Sequence, residues 1–217
     1  MISYFIYFQM VKSESVINSS YNSRLDLYAE HVIRGDITTA DGTVLAKTTV
    51  SDDGSETREY PYGRMFAHVV GYTNNGKGGL ESQYNFNLLR SHSFFLTQII
   101  NDLKNKKNIG DTLVTTLDYD VQETAYKALG DRDGAVVVME VKTGKILALV
   151  SKPDFDPNTL AERWDDIVSD ENSSVLLNRV TSGLYPPGST FKIFTTLEYV
   201  HENSNYQDYS FDCEGEL

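Results

Sequence analysis

Residues 134–157 read GAVVVMEVKTGKILALVSKPDFDP, and the spacing within this stretch decides the fold class. Residues 135–141 form a nearly unbroken apolar run of the kind found in a central sheet. Lys142-Thr143-Gly144-Lys145 then supplies a turn, and residues 146–150 return as a second apolar run, which predicts a β-hairpin. Just upstream, residues 112–117 are rich in β-formers. Asp120 followed by Glu123 reads as a capping box for a helix that stops before Gly130. Strand, helix and hairpin in that order predict an α/β (α+β) domain beginning near residue 111.

Downstream, Asp154, Asp156, Pro157, Pro186, Pro187 and Gly188 punctuate residues 153–188, which read as a long irregular segment of the functional kind. Phe191, Phe194, Leu197 and Val200, with Ile193 beside them, then recur at helical spacing and predict a helix over 189–201 whose first turn is packed in the core. Ser189-Thr190-Phe191-Lys192 at its start spells Ser-x-x-Lys, the pattern of serine acyltransferases. Chance alone supplies about one such pair in a chain of this composition, so the tetrapeptide by itself is as well read as a helix cap and a surface charge. Its context adds weight. Pro186, Pro187 and Gly188 stiffen the approach, and a serine at a helix N-terminus sits in a positive field that favours developing negative charge. Lys192, three residues on, shares its face, and partial burial would favour the neutral amine that can act as a base. Ser189 as nucleophile and Lys192 as its base are therefore the candidate catalytic pair.

The N-terminal half has a different texture. Residues 2–10 (ISYFIYFQM) are apolar and aromatic, but a membrane-spanning helix needs about 20 such residues; the segment reads as a short interfacial helix or the stump of an anchor. Residues 12–24 read as a polar linker. Residues 32–47 place two extended runs around Ala40-Asp41-Gly42, a strong hairpin signal. Residues 66–71 have strand character, residues 79–90 fit a helix through Leu80, Tyr84 and Leu88, and the polar run 101–110 is the candidate domain boundary.

With these elements in place, Leu184-Tyr185-Pro186-Pro187-Gly188-Ser189-Thr190-Phe191-Lys192 resembles the active-site signature of the penicillin-binding transpeptidases, a far more specific match than the tetrapeptide. Residues 134–157 resemble that family's opening strand pair. Arg34-Gly35-Asp36-Ile37, with Asp41-Gly42 and Leu45-Ala46, resembles the start of the N-terminal module of class B members, and Gly78-Gly79-Leu80-Glu81 with Tyr84 resembles another of its motifs. The turn at Thr38-Thr39-Ala40 departs from many relatives, and the likeness runs in order from about Tyr21 onward. It implies residues 1–23 as anchor stump and linker, 24–110 as an irregular pedestal, and 111–217 as the first part of a serine β-lactamase-like transpeptidase domain. It further implies Gly188 and Thr190 as substrate-binding neighbours of the serine, and peptidoglycan stem peptides ending in D-Ala-D-Ala as substrate. β-Lactam antibiotics would then be covalent ligands, cell-wall synthesis proteins the partners, and a single-pass anchor at the outer face of a bacterial membrane the location. The family's later Ser-x-Asn and Lys-Thr/Ser-Gly elements have no counterpart after Lys192; Lys142-Thr143-Gly144 precedes the serine and reads as a hairpin turn, and Ser20-Tyr21-Asn22 lies on the wrong side. A truncated, catalytically incompetent chain is the expectation.

Composition narrows the alternatives. A net charge of −12, from 31 acidic and 19 basic residues, disfavours nucleic acid as a partner. Cys213 is alone, and His31, His68, His92 and His201 lie at no metal-ligand spacing, so no metal is implied, and the family resemblance implies no organic cofactor. Gly71 to Gly78 (GYTNNGKG) nearly matches a phosphate-binding loop, but glycine stands where a hydroxyl should meet Mg²⁺. Asp154-Phe155-Asp156 reads as a turn rather than a cation site. Two other functions stay open: a non-catalytic envelope scaffold, and a β-lactamase or β-lactam sensor sharing Ser-x-x-Lys.

Overall fold

The computed structural model describes residues 2–12, 16, 29–92, 101, 103, 104, 106–212 and 215. The chain forms two compact units, Met1–Gly183 and Leu184–Leu217. The expectations for most of the linker, for Ser20-Tyr21-Asn22 and for Cys213 fall outside the described residues.

In the first unit, helix α1 (Ile2–Tyr7) continues into a π-helical turn, Phe8–Lys12. The hairpin around Asp41-Gly42 forms as expected: β2 (Ile37–Thr38) pairs antiparallel with β3 (Val44–Val50), Ile37 opposite Ala46. The Thr39 N–H donates to Thr43 O at 2.9 Å, and the Thr43 N–H returns to Thr39 Oγ1 at 2.9 Å. β4 (Glu56–Glu59) adds outside β3, and β6 (Leu113–Val114) lies parallel to β2, giving the order β4-β3-β2-β6. The β-rich run at 112–117 thus extends the N-terminal sheet. β1 (Val32–Ile33) and β5 (Asn108–Ile109) form a separate parallel pair. Beside it the Gly35 N–H donates to Leu88 O at 2.8 Å, and a Cβ on Gly35 would stand 2.1 Å from the Asp111 carbonyl, so only glycine fits there.

The predicted strand at 66–71 is not one. Gly63–Phe66 is a 3-10 turn and α2 (Ala67–Val70) follows it. Burial of Phe66, Ala67 and Val70 explains the difference, because tertiary packing overrides the strand preference of the two valines. Residues 79–90 form two short helices, α3 (Gly79–Gln83) and α4 (Asn85–Leu88), broken at Tyr84, rather than one. Ile37, Leu45, Tyr60, Phe66, Val70, Leu88 and Leu117 pack together as the main core, and each large aliphatic buried there contributes about 1.5–3 kcal/mol.

Helix α5 (Tyr119–Leu129) ends before Gly130 as expected, but its cap is Asp118, whose carboxylate accepts from the Val121 N–H at 3.0 Å. Asp120 lies inside the first turn. β7 (Gly134–Met139) and β8 (Ile146–Lys152) form the predicted hairpin. Val136 and Val138 pack inward with Ala125, Ala148 and Val150, whereas Val137 and Met139 are exposed. The apolar run is therefore covered on one face only among the described residues, not on both. The segment expected to be irregular contains a 3-10 turn (Leu160–Arg163), α6 (Trp164–Ser169) and α7 (Arg179–Ser182). Its regularity comes from a small core of Ala67, Phe155 and Leu160 against Tyr72 and Trp164.

Candidate active site

Within the Leu184–Leu217 unit, Gly188 takes a φ of 54°, a left-handed conformation that favours glycine, and turns the chain into a 3-10 segment, Gly188–Phe191. Helix α8 (Lys192–Glu202) follows directly. The Thr190 N–H and hydroxyl both donate to Pro187 O, at 3.2 and 2.6 Å, and tie the turn down. The Lys192 N–H bonds back to Ser189 O. In such a 3-10 turn residues three apart eclipse one another, so Ser189 and Lys192 project from the same side. Neither the Ser189 hydroxyl nor the Lys192 ammonium has a hydrogen bond or ion pair with a described residue, and Ser189 does not act as a side-chain cap. The cap-and-surface-charge reading therefore loses its first half.

One expectation about this site is corrected. Ser189 and Lys192 are exposed, and Phe191, Ile193, Phe194 and Leu197 are each more than half exposed, so the apolar face of α8 is not packed in a core. The burial expected to favour a neutral Lys192 is missing, because none of the described residues covers that face. The turn also engages both donors of Thr190, leaving Gly188, with nothing within 4 Å of where its Cβ would be, as the open side of the serine.

The first unit holds a second constellation. Glu81 on α3 is fully buried between two arginines: Arg34 Nε donates to Oε2 at 2.5 Å and Arg58 Nε to Oε1 at 2.8 Å. Arg34 also reaches Asn85 Oδ1 (2.5 Å) and Glu81 O (2.6 Å), while Arg58 reaches Gly35 O (2.8 Å) and Thr48 Oγ1 (3.0 Å). Burial draws the Arg34 guanidinium below its usual range, opposed by Glu81, and burial beside Glu81 pushes the Tyr60 hydroxyl far up. Arg34 and Glu81 stand out in sequence as separate motifs. Arg58, Tyr60 and Asn85 do not, since nothing in their spacing shows that Arg58 and Tyr60 reach the Glu81 carboxylate or that Asn85 accepts from Arg34.

The rival sites dissolve. Residues 71–78 follow a helix rather than a strand and lead into a five-residue helix, the wrong frame for a phosphate loop. Asp154 accepts from Arg64 (3.3 Å) and Tyr126 (2.7 Å), and Asp156 accepts from the Asn158 N–H and side-chain amide (2.9 Å each). Thr143 of the hairpin turn bonds Glu140.

Residues 34–113 match the penicillin binding protein A dimerisation domain, and residues 134–216 match the penicillin binding protein transpeptidase domain. The chain belongs to the class B penicillin-binding proteins. The peptidoglycan D,D-transpeptidase PbpA of Mycolicibacterium smegmatis is 38% identical over 190 residues, covering 79% of this chain and 38% of the relative. The peptidoglycan D,D-transpeptidase MrdA of Acinetobacter baumannii is 32% identical, covering 67% of this chain and 26% of the relative. Among solved structures, penicillin-binding protein A of M. tuberculosis in its imipenem acyl-enzyme complex superposes with a TM-score of 0.71 at 32% identity. That likeness covers 80% of this chain and 43% of the other. The fold is thus the mixed helix-and-strand fold of that family. The chain spans well under half the length of these relatives, and the family's dimerisation-domain match contains the whole Arg34–Glu81–Arg58 cluster.

Proposed function

We propose that this chain is part of a peptidoglycan D,D-transpeptidase, with residues 24–110 as pedestal and 111–217 contributing the nucleophile to the transpeptidase domain. Ser189 Oγ attacks the penultimate carbonyl of a stem peptide ending in D-Ala-D-Ala while Lys192 takes its proton. The terminal D-Ala leaves, and an amine of a neighbouring stem takes the acyl group, forming a cross-link. A β-lactam acylates the same oxygen and stays. The observation that carries this reading is the eclipsed Ser189–Lys192 pair, without a partner among the described residues, on a turn preset by Gly188. Gly188 gives the substrate an unobstructed flank, and Thr190 shares in binding by exchanging its Pro187 bonds for substrate.

Because the described residues offer the pair no donors and no cover, the 217-residue chain alone is inactive in this reading. The test therefore uses the gene product at its full encoded length: fluorescent-penicillin labelling followed by mass mapping. A stable adduct on the Ser189 peptide, absent in Ser189→Ala, is expected. An adduct on another residue overturns the assignment; rapid release points to a β-lactamase, and no labelling to a scaffold module.

The apolar side chains of Tyr4, Phe5 and Met10 are exposed on the N-terminal helix and turn, although no helix among the described residues is long and apolar enough to cross a membrane. They support a membrane-anchored protein with its bulk outside the cytoplasm, where cell-wall synthesis partners work. External protease on spheroplasts should digest it; protection would reverse this placement.

A further inference from the structure

We propose that Asn75-Gly76, at the tip of the Gly71–Gly78 loop, is a self-modification site at which Asn75 converts to isoaspartate and aspartate in the folded protein, with water as co-reactant. The backbone explains why this pair stands there. A Cβ on Gly71 would lie 1.8 Å from Gly78 O, and the Gly78 N–H donates to Tyr72 O at 3.1 Å, so the two ends of the loop are held backbone to backbone. A loop closed this tightly must reverse at its tip, and it does so with φ of 56° at Asn75 and 110° at Gly76. Asn75 is the one non-glycine residue with a positive φ among the described residues. Asparagine tolerates that region better than most residues and glycine enters it freely, so the turn itself selects Asn-Gly.

The same pair is built to rearrange. Residues 74–76 are exposed, and neither the Asn75 side-chain amide nor the Gly76 N–H has a hydrogen bond with a described residue. Apart from its chain neighbours, nothing lies within 4 Å of where a Gly76 Cβ would stand. Once base removes its proton, the Gly76 nitrogen attacks Asn75 Cγ with no side chain in its way. The N–Cγ bond forms, the Cγ–Nδ2 bond breaks, and ammonia leaves a five-membered succinimide. Water then opens the ring, at the main-chain carbonyl to give isoaspartate or at Cγ to give aspartate. Either product replaces an amide with a carboxylate, so a chain of net charge −12 gains one further negative charge. Asn75 is the only asparagine followed by glycine in the sequence, and Asn85, Asn158 and Asn178 have side chains bonded to Arg34, Tyr60 and the first turn of α7. The extra backbone methylene of isoaspartate falls at the loop tip, away from the closed base, so α2 and α3 keep their places.

The test is incubation of the gene product at its full encoded length in heavy-oxygen water, native and in urea, at mildly acidic and mildly alkaline pH, followed by peptide mapping with mass spectrometry. Isoaspartate is read by methyl transfer from a carboxyl methyltransferase specific for that residue. The peptide spanning residue 75 should gain one heavy oxygen and accept the methyl label, faster in the alkaline buffer. Its native rate should fall within about tenfold of the rate in urea, because exposed loop tips open at almost no cost. Asn75→Gln, whose ring would be six-membered, should lose both signals, and Asn75→Asp, with the product's charge, should keep the wild-type urea midpoint. A native rate slower than that margin would show that the fold forbids the ring and would overturn the proposal. So would a label that maps to another asparagine or persists in Asn75→Gln, or a lowered midpoint for Asn75→Asp.

Discussion

Ser189 and Lys192 share one side of their turn, and no described residue covers or bonds either side chain. Serine is a weak nucleophile at its own pKa and needs an adjacent base, so Lys192→Ala in the full gene product should slow penicillin acylation by about 10²- to 10⁴-fold. Its circular dichroism should be unchanged, because the Lys192 side chain has no hydrogen bond or ion pair with a described residue. A wild-type acylation rate would remove the lysine from the mechanism. Glu81 is the opposite case, a residue whose value is entirely in its partners. Glu81→Gln leaves two buried guanidiniums without a counter-charge, and breaking a buried pair in this way costs about 3–5 kcal/mol. Urea unfolding measures it, and a loss no larger than that of half-exposed Glu59→Gln, whose pair with Lys47 is half in solvent, would contradict the network.

At the scale of elements, α2 is held against the segment that follows β8 through His68. Its Nε2–H donates to Pro153 O at 3.1 Å, its ring stands edge-on to Phe155 with centroids 5.3 Å apart, and its carbonyl accepts from Asn178 at 3.1 Å. Burial lowers the imidazole's proton affinity more than the Pro153 carbonyl and Asp154 raise it, with Arg179 adding to the lowering. The folded-state pKa is thus below the unfolded value of about 6.5, and on acidification the unfolded chain takes up the proton first. Stability is full above that value and should fall as pH drops through the window below it. His68→Gln should flatten the urea midpoint between about pH 7 and 5, where ordinary carboxylates have yet to titrate; an unaltered slope would mean that His68 is not the sensor. The hairpin of β7 and β8 was legible in sequence because its period and turn are local. α2 was not, because its helical form depends on Phe66 and Val70 meeting a core built from distant strands.

At the scale of the molecule, each unit presents uncovered apolar surface. On the first, Val137, Met139 and Val141 are exposed along and beyond β7; on the second, Phe191, Ile193, Phe194 and Leu197 are exposed on and just before α8. Contiguous patches of this kind drive association. The 217-residue chain should therefore self-associate, with a sedimentation coefficient that rises with concentration, and Phe194→Glu combined with Leu197→Lys should reduce the effect. A monomer at every concentration, melting in one cooperative step, would show these faces to be harmless.

The sequence by itself determined what depends on neighbours in the chain. The Asp-Gly hairpin, the Lys-Thr-Gly-Lys turn, the helix ending at Gly130 and the register of Ser189 with Lys192 all follow from short-range periodicity and backbone preference. Family membership, too, was carried by short runs of letters. Tertiary structure alone decided that Arg34, Arg58 and Tyr60 gather around the Glu81 carboxylate, that Leu113–Val114 joins the N-terminal sheet, and that α8 shows its apolar face to solvent. The physical reason is common to all three. Which residues share a buried charge, or which face of an element is covered, is set by segments tens of residues away, and the cost of leaving a charge or an apolar face unmatched is paid only once those segments are in place.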